Sequence, residues 1–308
     1  YFFYNGGGDS QDTTFKVSEM AKKLKFPLQC IGIPKTVDND LPYTDCSPGF
    51  GSVAKYVATS TLEAGLDVKS MAETSTKVFI LEVMGRHAGW IAAASCLAAS
   101  NQGDPPHIIL LPEVPFEKVK FISQVKQTVK KNGYCVIVAS EGTQTKNGKF
   151  LADSGLTDAF GHKQLGGVAP LLASMISKIG LKNHWAVADY LQRSARHIAS
   201  KTDLDQAYAV GGHAVKLAVA GQTAVMPIIK RISDSPYKWK IETAPLKNIA
   251  NVEKTMPKKF ISKNGFEVTS AGKKYLRPLI QGEAPMKYQN GLPEVANLKK
   301  IKVKKKLA

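Results

Sequence analysis

The chain has 308 residues, 44% of them hydrophobic, and a formal net charge of +17. That length buries a sizeable core and favours two lobes over one, and no apolar stretch reaches the length of a bilayer span, so an integral membrane helix protein is excluded. The basic excess directs attention to anionic partners, although much of it sits in Lys299, Lys300, Lys302, Lys304, Lys305 and Lys306, a solvated terminus without the interleaved aromatics that single-stranded nucleic acid stacks on.

Nucleic acid and membrane surfaces are therefore discounted in favour of small anionic substrates. The chain opens as though inside a strand, Tyr1 to Tyr4, which suggests missing upstream material and leaves targeting unread. This run leads into Gly6-Gly7-Gly8-Asp9-Ser10 and a helix with an apolar stripe through Phe15, Val17, Met20, Ala21 and Leu24. A strand Leu28 to Ile33 follows, completing a strand–helix–strand unit of a parallel sheet. The pattern continues with a helix Gly51 to Ala64, a strand Lys77 to Val83, and a small-residue helix Ala88 to Ala99. Next come a strand His107 to Leu111, a helix Lys118 to Lys130, and a strand Tyr134 to Ser140. Asn147 to Lys163 reads as a loop, with helices predicted at Gln164 to Ile179 and Asp203 to Ala220. Beyond Asp234 the periodicity weakens. Such alternation implies a doubly wound, mostly parallel α/β architecture, and ligands of open α/β sheets bind at the carboxyl ends of strands.

Those ends carry the chemistry. Gly6, Gly7 and Gly8 expose backbone amides where a strand turns into a helix, a place for phosphate to meet main-chain donors. Any tight turn also favours glycine, and Asp9 or Ser10 can simply cap the helix. The second loop, Pro34-Lys35-Thr36-Val37-Asp38-Asn39-Asp40, combines carboxylates, a lysine and a threonine. Phosphoryl transfer needs a carboxylate to take a hydroxyl proton and cations to neutralise phosphoryl oxygens, yet Asp and Asn also favour ordinary turns. A third strand ends in Met84-Gly85-Arg86-His87, a fourth in Pro112-Glu113, and a fifth in Glu141-Gly142-Thr143. Glu113 is read as structural or peripheral. Cys30, Cys46, Cys96 and Cys135 lack metal-ligand spacing and read as buried thiols of a reducing compartment, which favours a cytoplasmic setting. His107, His162, His197 and His213 have no suitably spaced metal partner.

Gly-Gly-Gly-Asp-Ser, then Pro-Lys-Thr-Val-Asp-Asn-Asp, then Met-Gly-Arg, in this order and spacing, resembles the 6-phosphofructokinases over roughly Tyr1 to Ala220. The resemblance implies two lobes with the active site in the cleft between them. Residues 1–50 and about 194–245 would form the donor lobe, 51–193 the sugar-phosphate lobe, and 246–308 a C-terminal extension with the basic tail. It implies Asp38 as the base acting on the 1-hydroxyl of fructose 6-phosphate, with Thr36 and Asp40 as further contacts of that loop. Met84, Gly85 and Arg86 would clamp sugar and phosphoryl group, and Glu141 would accept from a sugar hydroxyl. Tyr190 and Arg193 would grip the 6-phosphate, while Lys77 stands where an arginine crosses to a neighbouring subunit. Arginine supplies the forked donors phosphate favours. Asp9 and Lys35 match the pyrophosphate-using members, Asp9 by excluding the α-phosphate of ATP and Lys35 by neutralising the leaving group. Donor contacts would then come from Gly6, Gly7, Gly8, Asp9, Ser10 and Lys35. The implied cofactor is Mg²⁺, with Asp9 as the candidate ligand because Gly8 replaces a common metal-binding aspartate. The implied assembly is a homodimer or homotetramer serving glycolysis or gluconeogenesis. ATP as donor, or a non-catalytic regulatory subunit, are the alternatives.

Overall fold

The computed structural model describes residues 1–157, 163–165, 167–302 and 304. Two four-stranded sheets organise it. In the first, β1 (Phe2–Gly6) and β2 (Cys30–Pro34) run parallel, β2 meets β9 (Val225–Asp234) in parallel, and β10 (Tyr237–Pro245) returns antiparallel to β9. The second has the order β4 (Ile108–Leu110), β5 (Cys135–Ser140), β3 (Val78–Val83), β8 (Asn183–Val187), all parallel. The central strands β3 and β5 are apolar along almost their whole length, as strands covered on both faces must be. Parallel pairing puts the ends of β1 and β2 on one edge of the first sheet, and those of β3, β5 and β8 on one edge of the second.

Helices α1 (Gly8–Lys23), α2 (Phe50–Met71), α4 (Lys118–Asn132) and α7 (Lys201–Val219) fall where the periodicity predicts helices. In α1 the first turn holds Asp9 and the last Lys22 and Lys23, opposing charges suited to the helix dipole. Asp203, at the start of α7, accepts from Gly49 N (2.8 Å), Ser52 N (3.0 Å) and Ser52 Oγ (2.5 Å), so one buried carboxylate caps the start of α2. The alanine-rich stretch shortens to α3 (Trp90–Ala94) followed by a 3₁₀ turn, Ser95–Ala98. Helix α5 (Val168–Ser177) starts later than Gln164 because Gly167 takes a left-handed φ of +94°, and the buried Glu82 carboxylate accepts from Gly167 N (3.0 Å) and Ala169 N (2.7 Å).

Four features differ from the sequence reading. The predicted loop Asn147 to Lys163 contains an antiparallel pair, β6 (Asp153–Thr157) with β7 (Lys163–Leu165), whose short polar segments give no period-two signal; His162 lies outside the described residues. The edge strand β8 was not predicted, since Trp185 and Val187 stay exposed and no alternation marks it. The β9–β10 hairpin was also missed. Finally, the segment after 245, read from sequence only as weakly periodic, contributes to the core: Met256, Val268, Leu276 and Leu279 are buried with Phe50, Trp90, Ile91 and Val138 in the largest core cluster. A buried side chain needs no periodic neighbours, so scattered prolines and lysines hid this packing. Lys305 and Lys306 of the basic tail lie outside the described residues.

Candidate active site

A cavity of about 740 Å³ opens between the strand ends of the two sheets. From the first sheet it receives Gly7, Gly8, Asp9 and Ser10 after β1, then Thr36, Asp38 and Asp40 after β2. From the second it receives Met84, Arg86 and His87 after β3, and Glu141 after β5. Ten of the residues singled out from sequence therefore meet in one place, counting Gly7 through Ser10, the three of the second loop, Met84, Arg86 and Glu141.

The backbone explains the convergence. Lys35 N donates to Gly6 O at 3.1 Å, tying the second loop to the glycine turn, and Gln11 Nε2 donates to the same carbonyl at 2.8 Å. Asn39, between the two aspartates, adopts a left-handed φ of +56° and is fully buried. Asparagine tolerates that conformation better than most residues. Asp38 N donates to Thr36 Oγ1 at 3.2 Å, closing the turn from the other side. Gly85 takes φ +128°, which favours glycine; its N donates to Glu141 Oε1 (3.3 Å) and its O accepts from Ser140 Oγ (2.5 Å). The Met-Gly-Arg segment and the end of β5 are thereby one unit.

Electrostatically the cavity sets crowded carboxylates against cations. Burial pushes the Asp38 carboxyl up, opposed by the Arg86 guanidinium, then Lys35, His87 and Arg193. Asp40 is raised to about 6 by burial and by the Asp38 charge. Glu141 is raised to about 7, chiefly by burial, with the Gly85 N–H pulling the other way. Asp40 Oδ1 and Arg86 Nε are buried without a hydrogen-bond partner. Buried polar groups rarely stay unpaired, so an acceptor and a donor here are left for a ligand.

Other predicted residues sit differently. Lys35 is exposed at the rim, and Arg193 acts on Asp38 from the 189–193 turn, where its guanidinium lies 4.0 Å over the exposed Tyr190 ring. Gln192 links that turn to the site, its Oε1 accepting from Met84 N at 3.4 Å. Lys77 is not brought to this cavity. It precedes β3, about 20 Å of strand away from Met84, and its ammonium donates to Ala72 O and Glu73 O at the end of α2. Glu113 braces the site from behind, accepting from Gly89 N (2.9 Å) and Met256 N (2.9 Å). Sequence reasoning missed Asn251, Val252 and Glu253, which close one wall; Glu253 Oε1 lies 2.7 Å from His87 Nδ1. Their segment has no periodicity, and no sequence signal marks them. All four cysteines are buried and free, as read from their apolar surroundings.

No cluster of three or more potential metal ligands exists among the described residues. Mg²⁺ usually keeps several waters and takes one or two carboxylates plus substrate phosphates. Asp9 and Asp38 on one cavity, beside the unpartnered Asp40 oxygen, fit such a site.

With this geometry in hand, comparison with known proteins is decisive. The phosphofructokinase family profile matches residues 1–218. The chain belongs to the phosphofructokinase family. A curated relative from Halomonas elongata, named pyrophosphate--fructose 6-phosphate 1-phosphotransferase, is 64% identical over all of this chain and 74% of its own length. One of the same name from Methylococcus capsulatus is 58% identical over the same shares. The crystal structure of a pyrophosphate-dependent phosphofructokinase from Marinobacter aquaeolei superposes with a TM-score of 0.91 at 58% identity, covering all of this chain and 74% of that one. Among the described residues no helix is long and apolar enough to cross a membrane.

Proposed function

We propose that this phosphofructokinase transfers a phosphoryl group from pyrophosphate to the 1-hydroxyl of fructose 6-phosphate, giving fructose 1,6-bisphosphate and phosphate. The observation that carries the reading is the Asp38 carboxylate facing the same cavity as the glycine turn, within the field of Arg86, Lys35 and Arg193. Asp38 takes the proton of the attacking hydroxyl. Arg86 offers its unpartnered Nε to the transferred group, and Lys35 neutralises the leaving phosphate. Glu141 and Met84 hold the sugar, and the Tyr190–Arg193 turn its 6-phosphate. Mg²⁺, when bound by Asp9 with Asp38 beside it, supplies charge neutralisation on the phosphate oxygens.

Residues 1–50 and 194–245 form the donor lobe and 51–193 the sugar lobe in this reading. Lys77, directed away from its own cavity, serves the 6-phosphate of a neighbouring copy in a homodimer or homotetramer. A small free-energy change with pyrophosphate makes the reaction reversible. Four buried thiols suit a cytoplasmic enzyme.

The test compares donors in the full-length protein. Turnover with pyrophosphate and fructose 6-phosphate is expected, and Asp38→Asn should lower kcat by roughly 10²- to 10⁴-fold. The double change Asp9→Gly with Lys35→Gly should weaken pyrophosphate use. Full-speed bisphosphate synthesis by Asp38→Asn sinks the mechanism. An ATP preference in the unaltered protein sinks the donor assignment, and no turnover with either donor indicates a regulatory subunit.

A further inference from the structure

We propose that Lys254 is a positioning residue of the reaction, holding the Asp38–Asn39–Asp40 turn in its reactive geometry from a segment more than two hundred residues away. The inference rests on the function proposed above. Lys254 Nζ donates to three oxygens of one loop: Asn39 Oδ1 at 3.3 Å, Thr44 O at 3.0 Å and Asp45 O at 3.1 Å. All three ammonium donors are thereby used, and the charge also lies 5.5 Å from the Trp90 ring centroid. The main chain repeats the grip. Lys254 N donates to Asp40 O at 2.6 Å, and Lys254 O accepts from Trp90 Nε1 at 2.9 Å.

The point of attachment matters more than the number of bonds. Asn39 is the left-handed residue that turns Asp38 and Asp40 toward one cavity. Its Oδ1 accepts from Lys254 and from Ser47 N (3.0 Å), and its Nδ2 donates to Tyr275 Oη (3.0 Å). Tyr275 Oη in turn donates to Asp45 O at 2.5 Å. A non-glycine residue persists at positive φ only where its surroundings over-determine it. Lys254 is the one cation hydrogen-bonded to this asparagine among the described residues, and it does not line the cavity. It therefore acts through the loop, leaving contact with the phosphates to Arg86 and Lys35.

Burying an ammonium is expensive without partners, and burial pulls the Lys254 pKa down to about 8. The charged and titratable groups acting on it are Cys46, Asp45, Asp40 and Arg231, of which Arg231 is held by Asp45 and Asp234.

The experiment uses the full-length protein with pyrophosphate and fructose 6-phosphate. Lys254→Ala is expected to lower kcat by about 10²-fold, the scale of a displaced catalytic group, while KM for either substrate changes little. Propylamine should restore a large part of that loss and propanol none. Should Lys254→Ala fold poorly, Lys254→Met keeps the apolar stem and must show the same drop in kcat per folded molecule. A variant with parental kcat overturns the inference, as does a loss that amine never rescues. An unaltered protein inactive with pyrophosphate overturns the proposed function instead.

Discussion

Replacing Gly142 by alanine tests whether the Met-Gly-Arg segment and the end of β5 form one unit. Gly142 follows Glu141, and its N donates to Ser140 Oγ at 3.3 Å. A Cβ there would lie 2.5 Å from Gly85 O, 2.6 Å from the Arg86 carbonyl carbon, and closer still to Arg86 O. Real Cβ atoms essentially never come within 3.0 Å of such neighbours. All three are backbone atoms, so no side-chain rotation relieves the clash and the segment must retreat by about 1 Å. A misplacement on that scale costs roughly 10²-fold in rate, or about 2.7 kcal/mol of transition-state stabilisation. Overpacking adds about 1–3 kcal/mol of lost stability. The assay is kcat/KM with pyrophosphate and fructose 6-phosphate, alongside a thermal melt. Gly211→Ala is the control: nothing lies within 4 Å of its added Cβ inside α7, so it should leave activity alone and gain about 0.5–1 kcal/mol. If Gly142→Ala matches the unaltered enzyme in both readouts, the argument that these two strand ends share a rigid backbone contact is wrong.

Arg86 is the largest charge opposing the upward shift of Asp38, so Arg86→Leu should raise the Asp38 pKa further. The acid limb of kcat/KM then moves to higher pH, and a limb that stays put contradicts the assignment of Asp38 as base. Glu141, raised to about 7, is ionised above that pH and protonated below it. Glu141→Gln resembles the protonated form, so its defect relative to the unaltered enzyme should be largest at pH 8 and shrink toward pH 6; a pH-independent ratio counts against the carboxylate as sugar acceptor. Glu82→Gln leaves one of the amide groups of Gly167 and Ala169 without an acceptor, since the carboxamide NH₂ cannot accept. A loss of about 1–3 kcal/mol in a denaturant titration is expected, with activity per folded molecule retained.

The strand ends were legible because a parallel sheet forces its carboxyl ends to one edge, and five of those ends in this sequence carry glycines or charges. Thus Asp9 and Asp38 on one sheet, and Arg86 and Glu141 on the other, could be placed at strand ends without coordinates, while their meeting in one cleft was implied only by the resemblance to the 6-phosphofructokinases. Lys77 shows the converse. It stands just before β3 and Met84 just after it, at opposite ends of one strand, so chain proximity to a motif says nothing about facing the same cavity. The segment Asn251 to Lys254, three of whose residues wall the cavity, was illegible for a different reason. Its contribution is a backbone N–H on Asp40 O, one ammonium on loop carbonyls, and a carboxylate on His87, none of which needs a repeating pattern.

Within the second loop, sequence reasoning weighed the two aspartates and passed over the residue between them. Three consecutive extended residues would alternate their side chains and put Asp38 and Asp40 on the same face only in a straight strand. Here the chain turns after Pro34, and both carboxylates reach the cavity because Asn39 is left-handed. An asparagine satisfies that φ and also fills its buried slot with hydrogen bonds to Ser47, Lys254 and Tyr275. Glycine would allow the turn but lose the hydrogen bonds to all three partners; a β-branched residue would provide neither. The middle residue of the motif is therefore fixed by partners that lie at opposite ends of the chain, which is why its role emerges only once they are seen together.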